Sequence, residues 1–291
     1  MKKFILSAAF SLLTFCLFAQ EGTLVSRKGE AYLPDSADWA IGIDAAPVIN
    51  YFGNFFHGSA TNVSPSWGYP GTPLAITGKM FKDKKSAYRA LLRVGFGTST
   101  RSNYVINDSP SNGIPDPTVT VTDQLKTTYH NILLGGGMEK RRGKTRLQGY
   151  YGWMGMLGNS GKTENYSYGN NFSQTNPSPS STNWTNDSTA SMTSRVTKQK
   201  YGNTFMIGLR GFVGAEYFIF PKISIGAEFG WGLGFSSTGD GIKTTAEWDS
   251  NGNQLKLSDK RTGRSSSVGL DTDVNGMQMM PTGALMLTMH F

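Results

Sequence analysis

Cysteine is almost absent. The single one, Cys16, lies within the first twenty residues, so the rest of the chain can form neither a disulfide nor a thiolate metal site. Histidine is nearly as scarce, and His57, His130 and His290 are too scattered to suggest a metal-binding cluster. After residue 20 no stretch approaches the ~20 apolar residues of a membrane-crossing helix, and mean hydropathy is only −0.32. Basic residues outnumber acidic ones by 28 to 20. They form no run interleaved with aromatics, so the charge balance gives no reason to expect a nucleic-acid partner.

Glycine and aromatic residues are plentiful, with 36 glycines and 12% Phe, Trp and Tyr. Short turns and alternating strands produce that profile, and strands give a much weaker hydropathy signal than helices. Residues 1–20 read as a cleaved export signal: Lys2 and Lys3, an apolar core from Phe4 to Phe18, then Ala19-Gln20. Phe15 stands before Cys16, where lipid attachment would require a small residue. Removing the signal lowers the formal charge from +8 to +6, the loss being Lys2 and Lys3.

Alternation organises the remainder. Side chains switch faces at every residue of a strand, and from Ile223 to Phe235 the chain sets Ile223, Ile225, Ala227, Phe229, Trp231, Leu233 and Phe235 against a face of Ser, Gly and Glu. Similar runs cover Trp39–Phe52, Thr72–Phe81, Ser86–Tyr104, Thr145–Tyr168 and Tyr201–Phe218. Thr118–Lys140 is β-rich, but its alternation is blurred and its faces cannot be assigned. The last run, Asn275–Phe291, ends on an apolar face carrying Leu285, Leu287, Met289 and Phe291. Connections at Lys82–Lys85, Arg141–Lys144 and Phe220–Lys222 are tight, whereas the others are long: Gly53–Gly71 is uncharged but rich in aromatics (Phe55, Phe56, Trp67, Tyr69), and the rest are polar. The stretch from Tyr168 to Val196, rich in Asn, Ser, Thr and Pro, reads as too polar to pack a core.

The expected fold is therefore all-β: an antiparallel transmembrane barrel of eight strands, with short periplasmic turns and long extracellular loops. Ten strands result if the hairpin Thr244–Trp248/Leu255–Leu257 around Asp249-Ser-Asn-Gly-Asn joins the wall. A soluble lipocalin-like barrel or sandwich also alternates, but the bulky Phe, Trp, Ile and Leu face opposes one of small residues, which suits lipid better than a core. Residues 21–37 then form a periplasmic tail and residues 38–291 the barrel. The small face would carry Asp44, Lys79, Arg89, Arg93, Arg146, Arg210, Glu216 and Glu228 into the lumen. Eight strands leave a space that side chains just fill, so these charges must pair with one another or with trapped water. Tyr150, Met154, Phe212 and Phe218 on the same face favour filling.

No catalytic, cofactor-binding or metal-binding residue is expected. The nearest approach to a nucleophile and base is His57-Gly58-Ser59, which has no obvious acid beside it.

Export signal, alternating strands, short turns, long loops and the terminal Leu285–Phe291 together resemble the small outer-membrane β-barrels of the OmpA, OmpX and OmpW type. The Phe18-Ala19-Gln20 context is similar to that of Bacteroidetes-type exported proteins. The resemblance implies a Gram-negative outer-membrane location, surrounding lipid, and insertion by the barrel-assembly machinery with Leu285, Leu287, Met289 and Phe291 as its signal. No peptidoglycan-binding domain is expected after the barrel, unlike in full OmpA proteins. In Bacteroidetes, sites of the form Asp-Ser/Thr-small can carry O-glycans, which Asp35-Ser36-Ala37 and Asp187-Ser188-Thr189 fit loosely. The leading expectation is a non-enzymatic surface barrel whose loops meet a protein or glycan partner or maintain membrane integrity. A narrow channel for anionic or hydrophobic solutes is the alternative, and a lipid-modifying enzyme the third.

Overall fold

The structure is a computed structural model that describes residues 24–45, 49–51, 54, 76–109, 116–272 and 284–291. The expected export signal with Cys16, Pro47, Leu74, His57 with most of its loop, and residues 275–283 of the last run lie outside them. The chain forms fourteen strands among the described residues: β1 Trp39–Asp44, β2 Ile76–Asp83, β3 Ser86–Ile106, β4 Thr120–Arg142, β5 Leu147–Ser167, β6 Ser180–Asn183 and β7 Ser188–Ser191 in the first part. They continue as β8 Ser194–Lys200, β9 Thr204–Phe220, β10 Ile223–Thr238, β11 Gly241–Asp249, β12 Gln254–Thr262, β13 Ser265–Thr272 and β14 Ala284–His290.

Twelve strands make one antiparallel sheet, and β6 and β7 pair separately. Eight of the twelve pair in a cycle, β1–β2–β3–β4–β5–β9–β10–β14 and back to β1. Closure removes the open edges that a flat sheet would present. At the seam Phe291 N–H donates to Trp39 O at 2.8 Å, and the two rings stack 4.3 Å apart.

The short connections gather at one end of the ring. At the other, β8 and β11 continue β9 and β10 outwards, while β12 and β13 run down toward β14. The β11–β12 hairpin therefore lengthens the wall and adds no strand to the ring. Its turn closes through Asp249 Oδ1, which accepts from Asn251 N–H at 3.0 Å and Gly252 N–H at 3.2 Å.

Two expectations require correction. The first run does not continue as a strand to Phe52: β1 stops at Asp44, residues 49–51 are helical, and Ile49 N–H donates to Ala45 O at 3.0 Å. Pro47 has no N–H to give a ladder. The polar stretch 168–196 is not too polar to pack. Asn170, Pro179, Ser181 and Thr182 are buried in it, held by hydrogen bonds rather than apolar area.

Face assignment follows the pleat. On β3 the outward Tyr88, Leu92, Val94 and Phe96 are exposed, Phe96 by 68%, while Ala87, Arg89 and Leu91 are buried. The same inversion runs through β5, β9 and β10, where Trp153, Leu209 and Trp231 face out and Met154, Arg210 and Glu228 face in. Pairing to β3 settles β4 as well: Arg89 lies opposite Gly137, so the odd-numbered residues Leu133, Glu139 and Arg141 turn inward and are buried.

Inward glycines make room for the large inward side chains. A Cβ on Gly214 would run into the Tyr150 ring and sit 2.6 Å from Ala227 O, whereas one on outward Gly211 would meet nothing within 4 Å. Gly214→Val is therefore expected to destabilise the fold by about 1–3 kcal/mol through overpacking, and Gly211→Ala to leave it nearly unchanged. The urea midpoints of the two variants test this, and equal midpoints would mean the interior is not tightly filled.

Candidate functional site

Seven charged side chains gather inside the ring; five are among the eight expected to face inward, and two, Glu139 and Arg141, were not anticipated. Lys79 from β2, Arg89 from β3, Glu139 and Arg141 from β4, Arg210 and Glu216 from β9 and Glu228 from β10 are all buried within the ring. Each carboxylate meets at least two cations. Glu139 lies 3.2 Å from Lys79 and 3.1 Å from Arg141. Glu216 accepts from Arg141 at 2.6 Å and lies 3.5 Å from Lys79. Glu228 accepts from Arg89 at 2.6 Å and pairs on its other oxygen with Arg210. Charges removed from water are tolerated only when paired and hydrogen-bonded in this way.

Aromatic and apolar layers enclose the network. On the short-turn side, Phe81 and Phe218 flank His290 at ring distances of 5.5 and 5.0 Å, and the Arg141 guanidinium lies 5.2 Å from the Phe81 ring. Arg89 sits 4.2 Å over Phe212 and Lys79 4.8 Å over Tyr150. Toward the other end Leu91, Leu133, Met154, Met156 and Met206 join Tyr150 and Phe212 in one buried cluster.

The remaining expected residues take other places. Asp44 and Arg93 are half-buried at the long-loop side of the network. Arg146 lies just before β5 and outside the network: its guanidinium donates to Phe218 O at 2.7 Å and to Ile219 O, and lies between the Tyr32 and Tyr217 rings. Leu285, Leu287, Met289 and Phe291 occupy the outward face of the last strand, with Met286, Thr288 and His290 inward. Glu139 and Arg141 were hidden because Gly135-Gly136-Gly137 erases the alternation of β4. Counting from the Arg141–Lys144 turn with an inward Arg89 opposite would have found them.

Ser224, His290 and Glu216 have the composition of a hydrolytic triad without its geometry. Ser224 Oγ and Glu216 Oε1 approach the same ring nitrogen, His290 Nε2, at 3.2 and 3.1 Å. His290 Nδ1 makes no hydrogen bond among the described residues. A relay needs the hydroxyl and the carboxylate on opposite nitrogens. His130, on the outward face of β4, meets Asn159 Oδ1 at 3.0 Å.

Both ends of the ring carry further structure. Residues 24–38 cross the short-turn end, where Ser36 Oγ donates to Lys82 O at 2.9 Å, Ala37 N–H donates to Phe81 O at 2.9 Å and Asp38 pairs with Lys222. At the far end the β6–β7 hairpin leans over the inner face of β3 and β4. Buried Asp123 accepts from Thr182 N–H at 2.7 Å and Gly169 N–H at 2.8 Å. Arg195 donates to Asn170 O and Ser181 Oγ, its guanidinium held between Tyr168 and Phe172.

Where β5 pairs with β8, Glu164 accepts from Lys162 at 2.6 Å, Tyr166 at 2.8 Å and Tyr201 at 2.9 Å. Burial alone would raise its carboxyl pKa, but these three donors hold it below the ordinary carboxylate value. Tyr201 is pushed up to about 12 by burial and by the same carboxylate. Because the folded value of Glu164 is the lower one, its contribution to stability is present above the ordinary carboxylate pKa and is lost as pH falls through the folded value.

Two outcomes are expected. Glu228→Leu leaves Arg89 and Arg210 buried without that carboxylate and should cost about 3–5 kcal/mol, while Arg89→Met/Arg210→Met/Glu228→Leu recovers much of the loss; equal urea midpoints for the two variants would contradict the pairing. In acid, hydrogen-exchange protection of residues 160–167 and 198–203 should fall before that of the β3–β4 core, and Glu164→Gln should flatten this dependence. No protein-family model, curated protein or solved structure matches the chain.

Proposed function

We propose that the chain is an integral outer-membrane β-barrel with a filled lumen, acting without catalysis through the structure raised on its long-loop side. The observation that carries this is the inversion of polarity. Isolated apolar side chains on a soluble surface need no explanation, but large contiguous patches mark contact with another apolar phase. Here exposed Trp39, Met80, Leu92, Trp153, Leu209 and Trp231 span the outside of the ring, and salt bridges occupy its inside. On β3 the outward band from Tyr88 to Phe96 covers nine residues. At ~3.3 Å per residue and a ~40° tilt it crosses roughly 23 Å, close to the ~25 Å band of such barrels.

The export signal and the one-sided short turns support the same setting, with surrounding lipid and assembly machinery as partners during biogenesis. Strands β3, β4 and β5 run well past that band, to Ile106, from Thr120 and to Ser167. The raised part, with the tethered β6–β7 hairpin, presents Ser, Thr and Asn and suits a protein or glycan at the cell surface. Buried Met154, Met206, Phe218 and Glu139 argue against a conduit through the ring.

Two measurements test the reading. Leu92→Lys places a charge at the middle of the band and should cost about 2–4 kcal/mol of folding stability in vesicles; a cost within about 0.5 kcal/mol, ordinary for a water-facing site, would contradict a lipid-facing wall. The mature protein in a planar bilayer should be silent while folded and heat-modifiable. Stable ion-selective steps would replace the filled-lumen reading with a channel.

A further inference from the structure

We propose that the cleft between the β2–β3 and β4–β5 turns is a binding site for the phosphate headgroup of an anionic phospholipid, in the leaflet facing the short turns. The proposal rests on the membrane reading above. The cleft is open to the outside, has a volume of about 900 Å³ and is lined by Lys84, Lys85, Lys140, Arg142, Lys144 and Tyr151. Five basic residues thus border one space. Arg141, also at its wall, is turned inward onto Glu139 and Glu216. Asp83 is the acid at the cleft, and its carboxylate is already engaged by Ser86 Oγ at 2.5 Å and Lys85 N–H at 2.7 Å. Lys84 also lies 3.3 Å from Asp35, with both side chains more than half exposed. The balance facing the cleft remains strongly positive.

Register fixes the depth of these charges. On the outward face, Tyr88, Met138 and Trp153 lie side by side across β3, β4 and β5 as an apolar and aromatic row. Two residues nearer the turns the row is Ser86, Lys140 and Tyr151, and beyond it Arg142 lies opposite Gly149. Two residues advance a strand by about 6.7 Å. The cations therefore stand just outside the apolar band, at headgroup depth, with exposed Tyr151 at the boundary. Gly149 leaves the neighbouring strand open: an added Cβ would meet only Arg142 O, at 3.7 Å.

The arrangement resembles in kind the basic pockets at membrane borders that hold acidic lipid headgroups. A site for a soluble acidic polymer would have no need of the flanking apolar row. The choice between lipid and cell-wall polymer is settled by experiment.

The test uses the mature chain in nanodiscs of phosphatidylcholine with increasing phosphatidylglycerol, reading the lipid retained on the protein by native mass spectrometry. The native protein should retain phosphatidylglycerol in preference to phosphatidylcholine. Lys85→Ser/Lys140→Ser/Arg142→Ser should lower that preference about tenfold, in line with several basic contacts of modest strength each. Lys126→Ser/Lys198→Ser/Lys200→Ser, at the opposite end, should not change it. Failure of the native chain to insert into phosphatidylcholine nanodiscs would overturn the membrane reading itself. Insertion without a preference, or equal losses in the two triple variants, would overturn the headgroup site and leave the barrel standing. Retention on purified cell-wall sacculi, dependent on the same three residues and without lipid preference, would also overturn it.

Discussion

Lateral backbone pairing between β1 and β14 is the constraint on which the rest depends. An eight-strand sheet left open would expose two edges and could flatten or slip. Once Trp39 and Phe291 exchange hydrogen bonds, the strands enclose a narrow space and the period of two assigns every wall side chain to one side or the other. A one-residue slip would carry Arg89, Glu139 and Glu216 to the outside together. The register is thus held by many residues at once.

The enclosed space explains the interior chemistry. Tyr150, Met154, Phe212 and Phe218 are buried in it beside the charges, and the charges satisfy one another. Three carboxylates, each touching two or more cations, form a cross-brace that spans β2, β3, β4, β9 and β10. A buried network of this kind contributes less to net stability than to uniqueness, because any mispairing leaves an uncompensated charge. The glycines facing it give way to the larger residues opposite, which is why the small face is so rich in glycine.

Function, on the proposed reading, is displaced to the two ends. One end carries strands that run far beyond the apolar band and a hairpin fixed by Asp123, Asn170 and Arg195. The other carries the basic turns, crossed by the segment 24–38. At the first of these ends the polar stretch 168–196 orders without a hydrophobic core of its own because buried Asp123 and Arg195 supply its hydrogen bonds.

The sequence by itself determined the strand runs of the ring apart from the end of the first, the alternation of short and long connections and the inward face of β2, β3, β5, β9 and β10. These are local properties, set by a period of two and by turn chemistry. It also placed Lys79, Arg89, Arg210, Glu216 and Glu228 on one side of the wall. Only the tertiary structure decided the faces of β4, because three consecutive glycines carry no polarity and the register comes from pairing with β3. Only it brought Glu139 and Arg141 into the network, set Arg146 against backbone carbonyls outside it, and folded the 168–196 stretch over the mouth. Each of those depends on contacts between residues far apart in the chain, which composition and periodicity do not encode.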